Sequence, residues 1–145
     1  MHILSPIAMF FSFLLLSCGS EPEPIHYGKD SCDHCRMTIM DPKFGAEIVT
    51  NKGKVFKFDD VNCLVRFMAD GKVAEADVNQ LLVADFAKPE TLMPVEAAFF
   101  VKSEEIRSPM ASRVAAFSDA LLRAKQVKKW SGNPMNWPQV KAEFE

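Results

Sequence analysis

The feature that most constrains this chain lies at its N-terminus, where an apolar run ends at a cysteine. The first 18 residues contain no Lys, Arg, Asp or Glu, and residues 7–16 read IAMFFSFLLL. A membrane-spanning helix needs about 20 apolar residues, so this run is about half the required length. It is typical of the hydrophobic region of a secretory signal peptide. We therefore expect residues 1–17 to be removed, leaving 128 of the 145 residues to fold outside the cytoplasm.

The cysteine that ends the run predicts a lipid anchor. Leu15, Leu16 and Ser17 precede Cys18 in the order of a bacterial lipobox. Residues 18–25 then contain Glu-Pro-Glu-Pro, which is typical of an extended linker. We expect a lipoprotein signal peptide at 1–17, a lipidated tether at 18–25 and a folded domain at 26–145, held on a membrane surface by acyl chains at Cys18.

Composition and charge exclude some classes of function. The 17 basic and 19 acidic residues give a formal net charge of −2, without the basic excess that nucleic-acid binding requires. The hydrophobic share of 48% is ordinary for one globular domain. No Ser-His-Asp set is recognisable, and the six glycines form no phosphate-binding loop. The sequence therefore predicts neither a nucleic-acid partner nor hydrolytic catalysis.

The remaining cysteines point to soft-metal or thiol chemistry. If Cys18 is acylated, Cys32, Cys35 and Cys63 remain, and their odd number leaves at least one thiol unpaired within the chain. The C-x-x-C spacing at residues 32–35 lets two sulfurs converge on one point. That geometry serves a metal ion, a redox disulfide or half of a zinc site.

Two of these alternatives have weaker sequence support. A structural zinc site normally has a second C-x-x-C or an H-x-x-x-H, and neither is present, which leaves only a site completed by Cys63 and a histidine. A thioredoxin-like site places C-x-x-C between a strand and a helix. Residues 27–31 are turn-like, and Pro42 leaves little room for a helix.

Methionine favours copper among the metals. Six of the eight methionines lie beyond residue 17. Thioethers and thiolates are soft ligands that select Cu(I). A single Met is more often a core residue, which is our interpretation of Met68. Met37 and Met110 lie instead in loop-like contexts, Cys-Arg-Met and Ser-Pro-Met, and are candidate ligands.

Periodicity predicts two similar halves. Residues 44–50 and 54–58 alternate as a β-hairpin, and Asp59 or Asp60 then caps a helix that carries Cys63 and ends near Gly71. Further elements are predicted as strands at 81–86, 95–102 and 112–117, a turn at 88–90, a helix from Ser118 or Asp119 to about Val127, and a short C-terminal helix. Residues 58–64 resemble residues 117–122, which indicates a duplicated strand–strand–helix unit and an α+β fold.

Taken in order, these motifs resemble the NosL family. The motifs are the lipobox, Cys-Asp-His-Cys-Arg-Met at 32–37, Phe-Asp-Asp at 58–60 ahead of Cys63, and Ser-Pro-Met at 108–110. The likeness runs from about Tyr27 to about Val127. It implies a single small α+β domain of two related β-β-α-β units, similar to a domain of organomercurial lyase. It also implies a lipid-anchored Cu(I)-binding protein of the periplasm, with the outer membrane as the favoured site, that supplies nitrous oxide reductase and is not an enzyme.

The resemblance assigns copper ligands residue by residue. The family's Cys and distal Met fall on Cys35 and Met110. The remaining candidates that would complete the site are Cys32, Met37, His34 and Cys63. We expect transfer of Cu(I) by ligand exchange to nitrous oxide reductase or to another exported cuproenzyme.

Two alternatives of other classes remain. In the first, Cys32 and Cys35 are the attacking and resolving thiols of a disulfide reductase or a mercury-handling protein. In the second, they form a structural disulfide in a lipoprotein without metal.

Overall fold

Two antiparallel sheets and three α-helices form the structure, a computed structural model that describes residues 20–145. The predicted signal peptide and Cys18 lie outside the described residues. The strands are β1 (Ala46–Thr50), β2 (Val55–Phe58), β3 (Val78–Asp85), β4 (Lys88–Pro94), β5 (Phe99–Lys102), β6 (Val114–Phe117) and β7 (Asn133–Met135). The helices are α1 (Val61–Ala69), α2 (Ala120–Lys129) and α3 (Trp137–Phe144). Within residues 20–145 no helix has the length and apolar character needed to cross a membrane.

The first half folds around the predicted hairpin. Strand β1 pairs with β2 on one side and β3 on the other, giving the order β2-β1-β3-β4. Gly53 takes a φ of 80° in the turn between β1 and β2, a conformation that costs glycine little. Helix α1 follows β2 directly and packs Phe67 against the rings of Phe56 and Phe58, with centroids 4.9 and 5.2 Å away. This contact places α1 on one face of the four-stranded sheet.

The second half repeats the connectivity of the first. Strand β5 pairs with β6 and β7, giving the order β6-β5-β7, and α2 lies between β6 and β7 in sequence. Each helix begins at an aspartate, Asp60 for α1 and Asp119 for α2. The structure therefore confirms the α+β fold of two related β-β-α-β units.

Two local predictions were wrong, and one strand was missed. Residues 88–90 were predicted to be a turn but begin β4, and the turn lies at Phe86 and Ala87. Residues 95–102 were predicted to be one strand but contain a short 3-10 helix, Val95–Ala97, before β5. Strand β7 was not predicted. Strands β4 and β7 both contain proline and both lie at a sheet edge, where the missing N–H breaks no ladder bond.

A buried carboxylate ties the two halves together. The Asp60 side chain accepts a hydrogen bond from Val61 N at the start of α1. It also accepts from Met110 N and Ser112 N, at 3.1 and 3.3 Å, in the loop between β5 and β6. Burial raises the pKa of Asp60, and the four hydrogen bonds from Ser108, Met110 and Ser112 oppose that shift. One side chain thus starts a helix of the first half and holds a loop of the second.

The two equivalent caps give a matched test of this role. Asp119→Ala should cost about 1 kcal/mol, because Asp119 caps an exposed helix end and touches no loop. Asp60→Ala should cost about 3 kcal/mol, because it also leaves the loop N–H groups of Met110 and Ser112 unpaired. Urea unfolding followed by circular dichroism measures both. Equal losses in the two variants would contradict the tie between the halves.

Candidate metal centre

Four side chains from three segments converge in the first half. The sulfurs of Cys32, Cys35 and Cys63 and a carboxylate oxygen of Asp59 all lie within 4.8 Å of one another. Cys32, Cys63 and Asp59 are buried and Cys35 is half-buried. All three cysteines are free thiols. The group is thus open to its surroundings through Cys35.

Main-chain bonds to β2 hold the C-x-x-C loop in place. Asp33 N donates to Lys57 O, and Lys57 N donates to Asp33 Oδ2, both at 2.8 Å. Within the loop, Arg36 N donates to Cys32 O at 3.0 Å, and Arg36 takes a φ of 68°. These bonds turn the chain so that both sulfurs face the end of β2. The spacing alone predicted the convergence, whereas the contact with β2 needed the fold.

The end of β2 and the first turn of α1 supply the other two groups. Asp59 is the residue after β2, and Cys63 is the third residue of α1. Cys63 N donates to Asp60 O at 3.1 Å, which fixes the turn on which the Cys63 thiol lies. The strand-to-helix corner therefore brings a carboxylate and a thiol to the C-x-x-C loop.

The surroundings of the three thiols give them different pKa values. The Cys63 S–H donates to the Cys32 sulfur, which lowers the pKa of Cys32 to about 6 and raises that of Cys63. Burial, the hydrogen bond with Cys32 and, to a smaller extent, the negative charges of Cys32 and Asp59 raise the pKa of Cys35 to about 11. The Cys35 sulfur lies 3.6 Å from each carboxylate oxygen of Asp59, with its S–H as the donor. The accessible thiol is thus protonated at neutral pH, and the buried Cys32 is the site's favoured thiolate.

Such a group suits a soft cation. Three thiols present ligands that bind Cu(I), Zn²⁺ and other thiophilic ions after losing their protons. Asp59 adds one oxygen ligand at the same point. The donor set therefore fits a metal of low coordination number.

Comparison with known proteins agrees with this picture. The family model named NosL matches residues 25–144 of the chain. This chain belongs to the NosL family. A search of curated protein sequences finds no match. Among solved structures, the chain is similar to the crystal structure of the copper chaperone NosL from Shewanella denitrificans. That likeness has a TM-score of 0.71 at 20% identity and covers 83% of this chain and 95% of the other. The predicted membership is thereby confirmed, and the structural likeness supports the fold.

Met110, the candidate ligand farthest along the sequence, lies in the loop between β5 and β6 that is bonded to Asp60. Besides the bond from Met110 N to Asp60, Asn62 Nδ2 donates to Met110 O at 2.9 Å. Asp60 and Asn62 lie between Asp59 and Cys63 in the sequence. Because both bind the main chain of Met110, that main chain is fixed beside the corner between β2 and α1. The half-buried side chain of Met110 packs against the same core as Cys35. The main chain of Met110 is therefore held beside the strand-to-helix corner that carries Asp59 and Cys63.

The two other candidates differ in where they lie. Met37 follows the C-x-x-C loop, its O accepts from Cys32 N at 2.8 Å, and its side chain is 56% exposed. His34 turns toward the far end of α1, where its Nδ1 lies 3.7 Å from Asp70 Oδ2. Of the six predicted ligands, the structure thus brings together Cys32, Cys35 and Cys63, and it holds the main chain of Met110 beside the start of α1. Met37 lies at the surface, and His34 lies apart.

The sequence analysis missed Asp59 as a member of the group. Both Asp59 and Asp60 were interpreted as helix caps, which is correct for Asp60. A helix needs only one capping aspartate, and Asp60 fills that role. Asp59, two residues before the helix, was therefore left without a structural role, and this was the signal that could have identified it. In this chain Asp59 faces Cys35.

Alkylation tests the arrangement of the thiols. Iodoacetamide at neutral pH should modify Cys35 first and leave the buried Cys32 and Cys63 unmodified. Because the pKa of Cys35 is raised, its rate should be below that of a free thiol and should still rise above pH 9. Mass spectrometry of peptides from the native and urea-unfolded protein gives the order. Faster labelling of Cys32 than of Cys35 would contradict the structure.

Proposed function

We propose that this chain is an exported copper chaperone that binds one Cu(I) and passes it to a client by ligand exchange. The observation that carries the proposal is the meeting of Cys32, Cys35 and Cys63 within 4.8 Å, at a corner beside Met110. Thiolate and thioether sulfur are the ligands that favour Cu(I) over hard cations. We assign Cys35 and Met110 as the core ligands, with Cys32 and Cys63 completing the site.

The order of the thiol pKa values favours binding over thiol catalysis. A disulfide reductase needs an accessible thiolate to attack its substrate. Here the accessible Cys35 has a pKa of about 11, whereas Cys32, with a pKa of about 6, is fully buried. A cation that enters past Cys35 meets a preformed thiolate and displaces the remaining thiol protons. The same reasoning argues against the second thiol-based alternative from the sequence, a mercury-handling protein.

Ligand exchange follows from the openness of one side of the site. Cu(I) is satisfied by two or three soft ligands, so a site with a half-buried Cys35 leaves room for an incoming ligand. Met37 is more than half exposed at the mouth of the loop and offers a thioether to copper during entry or exit. We therefore place transfer at the face formed by Cys35 and Met37.

The client and the location complete the proposal. Family resemblance favours nitrous oxide reductase as the client, with another exported cuproenzyme as the alternative. The lipobox-like sequence at Cys18 favours acylation there and attachment to a membrane facing the periplasm, most simply the outer membrane. The described residues begin at Ser20, two residues after that cysteine.

Anaerobic Cu(I) titration against a chelator of known affinity tests the copper site. The wild-type protein should bind about one Cu(I) tightly. Cys35→Ser and Met110→Ala should each weaken binding at least tenfold, which corresponds to about 1.4 kcal/mol per lost ligand.

A methionine outside the site provides the control. Met40 is 65% exposed, and Met40→Ala should leave the affinity unchanged. Undiminished affinity in both Cys35→Ser and Met110→Ala would overturn the copper assignment. A parallel Zn²⁺ titration separates the functions, because a Zn²⁺ site should depend on Asp59 and not on Met110.

Fractionation tests the anchor. In a bacterial host that exports the full chain, the wild-type protein should sediment with membranes. Cys18→Ala should move it to the soluble fraction or leave it unprocessed, because the acyl chains are lost. Mass spectrometry of the mature N-terminal peptide identifies the lipid. Membrane association that survives Cys18→Ala would contradict the assigned anchor.

A further inference from the structure

The N-terminal segment that was predicted to be a free tether lies against the four-stranded sheet. We call residues 20–25 the strap. Ser20 Oγ donates to Asn51 O at 3.2 Å, and Gln80 Nε2 donates to Ser20 O at 3.0 Å. At the other end of the strap, Ile25 is buried, with its Cδ1 methyl close against Gly45. The strap therefore runs along β1 from one end of the strand to the other.

The strap covers the sheet face opposite α1. The α1 face carries Phe56 and Phe58, which contact Phe67 of that helix. Because side chains alternate along a strand, Lys57 points to the other face, together with its register partner Glu47. The Lys57 ammonium holds the strap there by donating to Pro24 O at 2.9 Å and lying 3.5 Å from Glu23.

Beneath the strap is a carboxyl group without a hydrogen-bond partner. Glu47 is fully buried in the central strand β1, and within residues 20–145 neither of its oxygens accepts a hydrogen bond. Its register neighbour on β3 is the apolar Leu82. A buried carboxylate in this position is strongly disfavoured while it is charged. The docked strap thus favours the neutral form of Glu47 over the charged form.

The groups around Glu47 relieve this burial only in part, because the Lys57 ammonium and the main-chain N–H of Glu23 both lower its pKa. Among residues 20–145, Lys57 on β2 is the cation that faces Glu47, and its ammonium is already bound to Asp30 at 2.9 Å and to the strap. Glu23 on the strap and Asp30 after it add negative charge. The neighbouring Tyr27 also faces Asp41 and, from β4, Glu90. Burial is the largest cause that raises the pKa of Glu47 to about 7.

We propose that the strap is a pH-operated latch, docked over Glu47 while that carboxyl group is protonated and released from the sheet when it ionises. Release exposes Glu47 to water and returns its pKa toward 4.5. The docked state therefore binds the proton more tightly. Docking is fully favoured below about pH 4.5 and weakens up to about 300-fold as the pH rises through about 7. The hydrogen-bonded turn at residues 26–30 remains in place and forms the hinge.

The latch changes how far the domain extends from its attachment. This consequence rests on the proposed anchor at Cys18, whereas the latch itself does not. In the docked state only Gly19 separates Cys18 from the bound Ser20. Release adds about six residues to the free linker, a further reach of about 20 Å at about 3.3 Å per residue. At low pH the domain is held close to the membrane surface, and above neutral pH it extends away.

Methyl NMR of isoleucine-labelled protein tests the latch directly. Beyond residue 17 the chain contains four isoleucines, and the three outside the strap, Ile39, Ile48 and Ile106, are also buried. From about pH 4 to about pH 8 the Ile25 Cδ1 signal should move toward its random-coil position, with a midpoint between about pH 4.5 and about pH 7, and lose its contact with Gly45. The other three signals should stay in place and serve as internal references.

Two neutral isosteres assign the transition to one group. Glu47→Gln should keep the Ile25 methyl docked through about pH 9, and Glu96→Gln, at an exposed glutamate, should keep the wild-type profile. An Ile25 signal that does not change with pH in the wild-type protein would overturn the latch, as would an unchanged transition in Glu47→Gln. Copper affinity should not change in Glu47→Gln, so failure of the latch and failure of the copper site are distinguishable.

Discussion

The buried carboxylate of Asp60 is the interaction on which the candidate metal centre depends. It accepts hydrogen bonds from Val61 at the start of α1 and from Met110 and Ser112 in the second half. A buried acidic group costs solvation free energy, and bonds from several N–H groups offset that cost only if all are well placed. The carboxylate therefore couples the position of Cys63, in the first turn of α1, to that of Met110. Among residues 20–145, the only hydrogen bond between the first turn of α1 and this loop that does not involve Asp60 is the bond from Asn62.

The two β-β-α-β units share a topology but not a chemistry. Aligning Phe58 with Phe117 and the two capping aspartates places Asp59 opposite Ser118 and Cys63 opposite Leu122. In the first unit this corner is buried and carries the metal-binding groups, whereas Leu122 is 40% exposed. The second unit contributes to the candidate metal centre through the loop between β5 and β6, and not through the corner before α2. The loop has two residues in the left-handed region, Ala111 and Arg113, with φ of 55° and 57°. Because non-glycine residues rarely adopt that conformation, the surrounding hydrogen bonds must hold the loop in shape.

Local signals in the sequence predicted most of the fold, and the exceptions have a common cause. The hairpin, both caps and both long helices follow from alternation, helical spacing and aspartate at the cap position. Strands β4 and β7 were missed because Pro89 and Pro134 are usually read as turn residues, yet an edge strand tolerates them. The cysteines of the site were predicted because their spacing is informative. Asp59 and the buried Glu47 were not, because a single acidic residue beside a helix or within a strand acquires a role only from its neighbours in the fold.

Lys57 contacts both the strap and the metal-binding loop, but it does so with different atoms. Its ammonium holds Pro24, Glu23 and Asp30, whereas its main-chain N–H and C=O bond to Asp33. The main chain of Lys57 is also paired with β1, opposite Glu47, and keeps that register whatever its side chain does. Release of the strap therefore alters the charge near the C-x-x-C loop and leaves the loop geometry intact. Screening by water at the exposed side of the loop weakens even that electrostatic effect. The fold thus separates the proposed latch from the candidate metal centre, although both contact the same residue of β2.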